Sequence, residues 1–142
     1  MSESPHVLLV DDDPDVVWAV GRCLARAGFP VTTCGDGDEA IELLESHDYD
    51  VVITDIQMPR LNGLALIDWI RQNRKTMRVV VMTAFGSPSL RQITTQKGAI
   101  LYLDKPVDPD LLIQVLRSPE ATACFSGTIS EIELFDYLQL II

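Results

Sequence analysis

The sequence predicts an α/β fold: one doubly wound domain on a five-stranded parallel sheet, strand order 2-1-3-4-5, with helices on both faces. Three observations predict it. Short apolar runs alternate with stretches of helical period from His6 to Leu116. The first, third and fourth runs are apolar almost throughout, as strands covered on both faces are. Carboxylate, hydroxyl and ammonium residues stand just beyond four of the runs, where the strands of such a sheet share one edge.

The first strand, His6–Val10, runs into Asp11, Asp12 and Asp13. Asp13 stands before Pro14, a cap residue ahead of a proline whose missing N–H is no loss in a first helical turn. Val16, Val20, Cys23, Leu24 and Ala27 form the apolar stripe of that helix, and Gly28 stops it. Val31–Cys34 is the second strand, and Ala40, Ile41 and Leu44 mark the second helix. Val51–Thr54 is the third strand, with Asp55 just beyond it. The turn "PRLNG" then enters a helix striped by Leu64, Ile67, Trp69 and Ile70. Val79–Met82 is the fourth strand, followed by Thr83. The fourth helix, "SPSLRQITTQKGA", has two adjacent threonines and few apolar residues, which predicts a mobile element; Gly98 ends it. Leu101–Leu103 is the fifth strand, ahead of Lys105 and Pro106. Leu111, Leu112, Val115 and Leu116 mark a fifth helix that Ser118-Pro119 should stop. Parallel strands joined by helices imply right-handed crossovers throughout.

At 142 residues the chain suits one domain with a sizeable core and is short for two. No apolar run approaches the roughly 20 residues of a membrane-spanning helix, so no membrane partner is expected. The opening "MSESPH" lacks the basic and apolar segments of a signal peptide, and the cytoplasm is the expected location. Eleven Lys and Arg against 21 Asp and Glu give a net charge of -10, which speaks against direct nucleic-acid binding. The densest basic patch, Arg71 to Lys75, falls at a helix end, where cations suit the dipole anyway. Cys23, Cys34 and Cys124 have no CxxC or metal spacing and are read as reduced thiols.

In a 2-1-3-4-5 sheet the first and third strands are neighbours and the fourth and fifth lie on one side. Asp11, Asp12, Asp13, Asp55, Thr83 and Lys105 therefore meet at one edge. Singly, each has an ordinary reading: an Asp as a helix cap, a Thr as a strand residue, a Lys-Pro pair as a loop. Together they suit a divalent cation and a phosphoryl group. Carboxylates this close raise one another's pKa unless positive charge neutralises them. Mg²⁺ takes oxygen ligands while keeping waters and sharing phosphate oxygens. A lysine and a hydroxyl then suit the oxygens of a transferred phosphoryl.

The segments "LLVDDDPDV", "VVITDIQMPRLNG", "VVVMTAFGS" and "LDKPV", in this order and spacing, resemble the receiver domain of two-component response regulators. The match runs from Val7 to about Leu116, and residues 1–118 are taken as that domain, with its flavodoxin-like fold. The resemblance implies that Asp55 is the phospho-acceptor and that Asp11 and Asp12 form the acidic pair for Mg²⁺. Asp12 and Asp55 would be direct ligands, and the backbone carbonyl of Gln57 would complete them. Thr83 and Lys105 would bind the phosphoryl, with Lys105-Pro106 as a cis peptide. Thr83 and Tyr102 occupy the switch positions: Thr83 moves to the phosphoryl, and Tyr102 turns inward to alter the face of the fourth helix and fifth strand. The implied donor is a phosphohistidine on a sensor histidine kinase or phosphotransfer protein. Gln57 and Phe85 would flank the water that later removes the phosphoryl. Asp13 matches a variable place and is read as the helix cap.

Residues 119–142 are taken as a linker and the truncated start of a second domain, although "ATACFSGTISEIELFDYLQLII" is neither a linker by composition nor a sixth unit of the sheet. The run "FSGTISEIELFDYLQLI" resembles the opening of PATAN-type domains, which predicts the truncated start of a second domain. The alternative is a C-terminal helix, with Leu134, Leu138 and Ile141 as its stripe, packed on the receiver or on a second copy in a homodimer. Two rival functions stand beside the phospho-acceptor. A Mg²⁺-dependent aspartyl phosphatase would carry DxDx(T/V) at the first strand, where this chain reads "DDDPD". A phosphate-independent interaction module would have a broken pocket, and none of its residues is missing here.

Overall fold

The structure is a computed structural model that describes residues 4–58 and 60–117. Strands and helices alternate along them: β1 (Val7–Val10), α1 (Pro14–Arg26), β2 (Val31–Cys34), α2 (Gly37–Ser46), β3 (Val51–Asp55), α3 (Gly63–Asn73), β4 (Arg78–Thr83), α4 (Pro88–Gln96), β5 (Leu101–Asp104) and α5 (Pro109–Arg117). The five strands form one sheet, β2-β1-β3-β4-β5. Every pairing is parallel, and Val10 lies opposite Thr54, Asp55 opposite Met82 and Thr83 opposite Asp104. The carboxyl ends therefore arrive in step along one edge.

Alternate residues of each strand feed different cores, as the period of two requires. Val7, Leu9, Ile53, Val80, Met82 and Leu103 meet Val20 and Leu24 of α1 and Leu112, Val115 and Leu116 of α5. Leu8, Val10, Val52, Val79 and Val81 meet Ala40 and Leu44 of α2 and Leu66, Ile67 and Ile70 of α3. Each fully buried Leu or Ile contributes roughly 1.5–3 kcal/mol, so two dry layers hold the sheet edge still. The helices start on side-chain caps. Asp13, Asp36, Asn62 and Ser87 accept the N–H of Asp15, Glu39, Ala65 and Leu90. Among these helices α4 is the lightly anchored one: Thr94 is its buried residue, and Ile93 is exposed.

Three strands run one residue beyond their apolar stretches, taking in Asp55, Thr83 and Asp104. Ladder bonds use backbone groups, so a polar side chain does not end the pairing. At the other edge β1 begins at Val7; the His6 N–H instead donates to Asp50 Oδ2 at 2.7 Å. Residues 119–142, with the proposed second domain, lie outside the described residues.

Candidate functional site

Asp11 follows β1 directly and is 1% exposed. Its Oδ1 accepts the Asp13 N–H at 2.9 Å, which turns the chain into α1 and leaves the exposed Asp12 at the rim. Asp13 faces away into its capping role, accepting the Asp15 N–H at 2.9 Å. Asp55 closes β3 and is 5% exposed. Its Oδ1 accepts the Gln57 N–H at 3.1 Å and its Oδ2 accepts from Lys105 Nζ at 2.9 Å. The backbone beneath Asp55 is fixed by close packing. The Gly63 N–H donates to the Ile56 carbonyl at 2.9 Å, and a Cβ on Gly63 would overlap the Asp55 carbonyl.

Lys105, brought to the edge by β5, also lies 2.7 Å from Asp11 Oδ2. At that distance the two form a buried, charge-assisted pair. Burial pushes the Asp11 carboxyl above its ordinary range; Lys105 and the Asp13 N–H pull it back without cancelling that. Burial works against the Lys105 charge, yet Asp11 and Asp55 outweigh it and hold the ammonium above the usual lysine value. Asp11, Asp12 and Asp55 each offer a carboxylate oxygen, and these atoms lie within 4.8 Å of one another. An all-oxygen donor set of three carboxylates fits a hard divalent cation. One lysine does not neutralise three carboxylates.

Thr83 ends β4 and is fully buried; its Oγ1 accepts the Phe85 N–H at 3.2 Å. The Lys105 N–H donates to the Thr83 carbonyl at 2.8 Å, so the hydroxyl and the ammonium are carried by bonded neighbours. The Lys105-Pro106 peptide is cis. Gln57 joins the site through its N–H, with its side chain exposed. Phe85 is 76% exposed, so its ring stands largely in solvent.

Tyr102 already lies inward, 5% exposed, with the Arg91 guanidinium 4.9 Å over its ring and its hydroxyl accepting the Ser87 N–H at 3.2 Å. The sequence reading has this ring turning inward in response to phosphate. Gly86 leaves room for the ring in this position, since any Cβ there would collide with the Tyr102 hydroxyl and come within 2.6 Å of Asp104 Oδ1. A cleft of about 700 Å³ between α1 and β2 opens onto Asp11 and Asp12 and is lined by Trp18, Arg22 and Glu39. The pocket is thus accessible from that side. Cys34 also lines the cleft, but burial pushes its thiol up to about 12, which keeps it protonated and unreactive.

Sequence reasoning brought Asp11, Asp12, Asp55, Thr83 and Lys105 to one edge, and the structure places them there. It missed Gly63 and Gly86, whose value lies in a side chain they lack. The "LNG" turn was the available signal for Gly63.

The comparisons bear on the same stretch. The family model for the response regulator receiver domain matches residues 7–117. This chain belongs to that family. The receiver is 38% identical over 117 residues to the transcriptional regulatory protein GlrR of Escherichia coli K12, covering 82% of this chain and 26% of GlrR. It is 41% identical over 111 residues to the DNA-binding transcriptional regulator NtrC of the same organism, covering 78% of this chain and 24% of NtrC. The chain thus spans about a quarter of the length of these relatives. Among solved structures, the chemotaxis response regulator CheY4 of Vibrio cholerae superposes with a TM-score of 0.73 at 31% identity, covering 80% of this chain and 96% of CheY4. A CheY-like receiver domain from Methanospirillum hungatei JF-1 gives 0.78 at 24% identity over 87% of this chain and 98% of its own, which speaks to the fold alone. The receiver is a regulatory module of two-component systems. No helix among its described residues is long and apolar enough to cross a membrane.

Proposed function

We propose that this receiver takes a phosphoryl group onto Asp55 from a phosphohistidine of a sensor histidine kinase or phosphotransfer protein. The observation that carries this reading is the Asp55 carboxylate itself. It is nearly buried, fixed through Oδ1 by the Gln57 N–H, and held at Oδ2 2.9 Å from Lys105 Nζ. An Asp55 carboxylate oxygen attacks phosphorus, the new P–O bond forms as the P–N bond breaks, and the electron pair leaves with the imidazole, which takes up a proton. Lys105 binds the developing charge on the phosphoryl oxygens, where positioning and electrostatics supply most of the catalysis. Thr83 turns its hydroxyl to another of those oxygens.

Asp12, Asp55 and the Gln57 carbonyl would hold Mg²⁺ directly, with Asp11 beside them. When bound, Mg²⁺ supplies positive charge to the phosphoryl oxygens and relieves the repulsion among the carboxylates. Transfer changes the local charge, and Thr83 and Tyr102 convey the change to the face of α4 and β5. Hydrolysis then needs a water in line with the phosphoryl; Gln57 can orient it and Phe85 stands at its approach. GlrR and NtrC are named as transcriptional regulators. With a net charge of -10 the full sequence is ill suited to DNA, and we do not assign this chain an output of that kind.

Incubation with acetyl phosphate and Mg²⁺, followed by intact mass, separates the three readings. The receiver gains one phosphoryl group and keeps it for a measurable time. A phosphatase would release phosphate catalytically from the donor, and an interaction module would gain nothing; either result would overturn the proposal.

A further inference from the structure

Ahead of Asp55, β3 reads Val51, Val52, Ile53 and Thr54, and the threonine is fully buried. Strand residues two apart share a face, so Thr54 stands on the side of Val52, in the layer that α2 and α3 cover. A hydroxyl taken out of water in such a layer must find a partner within the protein. This one donates to the carbonyl of the next residue, Asp55, at 2.8 Å. Threonine is branched at Cβ and stiff at χ1, so its buried methyl group fixes where the hydroxyl points.

The oxygen it meets belongs to the phospho-acceptor itself. The Asp55 carbonyl opens the peptide plane that leads through Ile56 to Gln57, whose N–H holds Asp55 Oδ1 at 3.1 Å. The same plane is packed from α3. A Cβ on Gly63 would overlap the Asp55 carbonyl, and the Gly63 N–H donates to the Ile56 carbonyl at 2.9 Å. Gly63 gives the Asp55 carbonyl a close neighbour, and Thr54 gives it a bond. The carboxylate is thereby oriented twice, at Oδ1 through Gln57 and at the backbone that carries it through Thr54.

We infer that Thr54 is a positioning residue for phosphoryl uptake: its hydroxyl stops the Asp55–Ile56 peptide from rocking and so keeps the carboxylate aimed at the incoming phosphorus. This role rests on the phospho-acceptor reading of Asp55. Attack needs the reacting atoms about 3–3.5 Å apart and aligned, and a displacement of about 1 Å costs up to about 100-fold in rate. Thr54 touches no reacting atom. It acts through the backbone of the residue that does.

The test compares Thr54→Val and Thr54→Ser in the full chain. Valine keeps the shape and the methyl group and removes the hydroxyl; serine keeps the hydroxyl and removes the methyl group. Initial rates of phosphate uptake are measured by intact mass over a range of acetyl phosphate concentrations at fixed Mg²⁺, each divided by the folded fraction from circular dichroism. Thr54→Val should reach a maximum rate about tenfold below wild type, with the donor concentration for half that rate unchanged. Thr54→Ser leaves a void in the layer, so it should melt below wild type yet take up phosphate within about twofold of the wild-type rate. A threonine that served packing alone would lower the melting temperature without changing uptake per folded molecule. A wild-type maximum rate in Thr54→Val overturns the inference, and so does a serine variant as slow as the valine one. Should Thr54→Val fail to fold, Thr54→Ala takes its place, and equal rates in the alanine and serine variants overturn the inference in the same way. The wild-type sample separates the causes. A wild type that gains no phosphate removes the phospho-acceptor reading and the role of Thr54 with it, whereas a phosphorylated wild type beside an equally fast Thr54→Val removes only the positioning role.

Discussion

Replacing Asp11 with asparagine should stabilise the metal-free receiver and remove its response to Mg²⁺. The Asp11 side chain is fully buried, and Lys105 Nζ lies 2.7 Å from its Oδ2. Taking a carboxylate out of water costs several kcal/mol, which a single partner does not always offset. Burial is the largest influence on this carboxyl and raises its pKa, so the charge is a net burden despite the lysine. Lys105 keeps Asp55 as a partner at 2.9 Å in the variant, which limits the loss on that side. The balance is a gain of about 1 kcal/mol for Asp11→Asn without metal. Mg²⁺ at about ten times its Kd would stabilise the wild type by about 1.4 kcal/mol through mass action. For a domain of this size that is a rise in Tm of about 5 °C. Asp11→Asn, lacking the buried carboxylate of the cluster, should show almost none. The sign with pH follows from the raised pKa: the burden is full where Asp11 is ionised and fades as pH falls toward its ordinary value of 3.8. The gap between variant and wild type should therefore close in acid. Thermal unfolding by circular dichroism, in EDTA and in Mg²⁺, makes the comparison. An Asp11→Asn protein no more stable than wild type in EDTA, and raised equally by Mg²⁺, would refute the reasoning.

Arg60 adopts φ +64°, a left-handed conformation costing an ordinary residue roughly 1–2 kcal/mol, and its pairing with Asp36 is long at 3.9 Å and exposed. Arg60→Gly should raise the urea midpoint by about 0.5–1 kcal/mol of stability with an unchanged m-value, after the greater freedom of glycine in the unfolded chain is subtracted. Gly63→Ala should displace the Asp55 carbonyl it would overlap, costing about 2 kcal/mol or more and slowing phosphate uptake; an unaltered rate would show that the α3 contact does not position Asp55. Phe85→Ala should shorten the phosphorylated state by opening the water's approach, measured as loss of phosphate after the donor is removed. An equal lifetime would mean that the ring, 76% exposed, shields nothing.

The sheet was legible because parallel strands buried on both faces leave unbroken apolar runs, and Val7–Val10, Val51–Thr54 and Val79–Met82 are such runs. The pocket was legible for a related reason. Where strands run in step, residues just past each run must converge, and Asp11, Asp55, Thr83 and Lys105 did. The Asp13 cap is a local feature and showed in the Asp-Pro pair. What stayed hidden depends on contacts between distant segments. Nothing about an arginine announces the positive φ of Arg60, and nothing near position 71 shows that its guanidinium ends on Lys97 and Gly98. Tyr102 was placed correctly on its strand, but the room for its hydroxyl depends on the absent side chain of Gly86 on another segment. The two threonines of α4 stood out in the sequence; that they share one acceptor did not.

The central claim is that phosphate arrives at Asp55 and nowhere else. Borohydride reduction of the receiver after acetyl phosphate and Mg²⁺ treatment converts an aspartyl phosphate to homoserine, which peptide mapping can place. The account predicts homoserine at position 55 alone in the wild type and none in Asp55→Asn. Homoserine at position 11 or 12, or undiminished phosphate in Asp55→Asn, would contradict it.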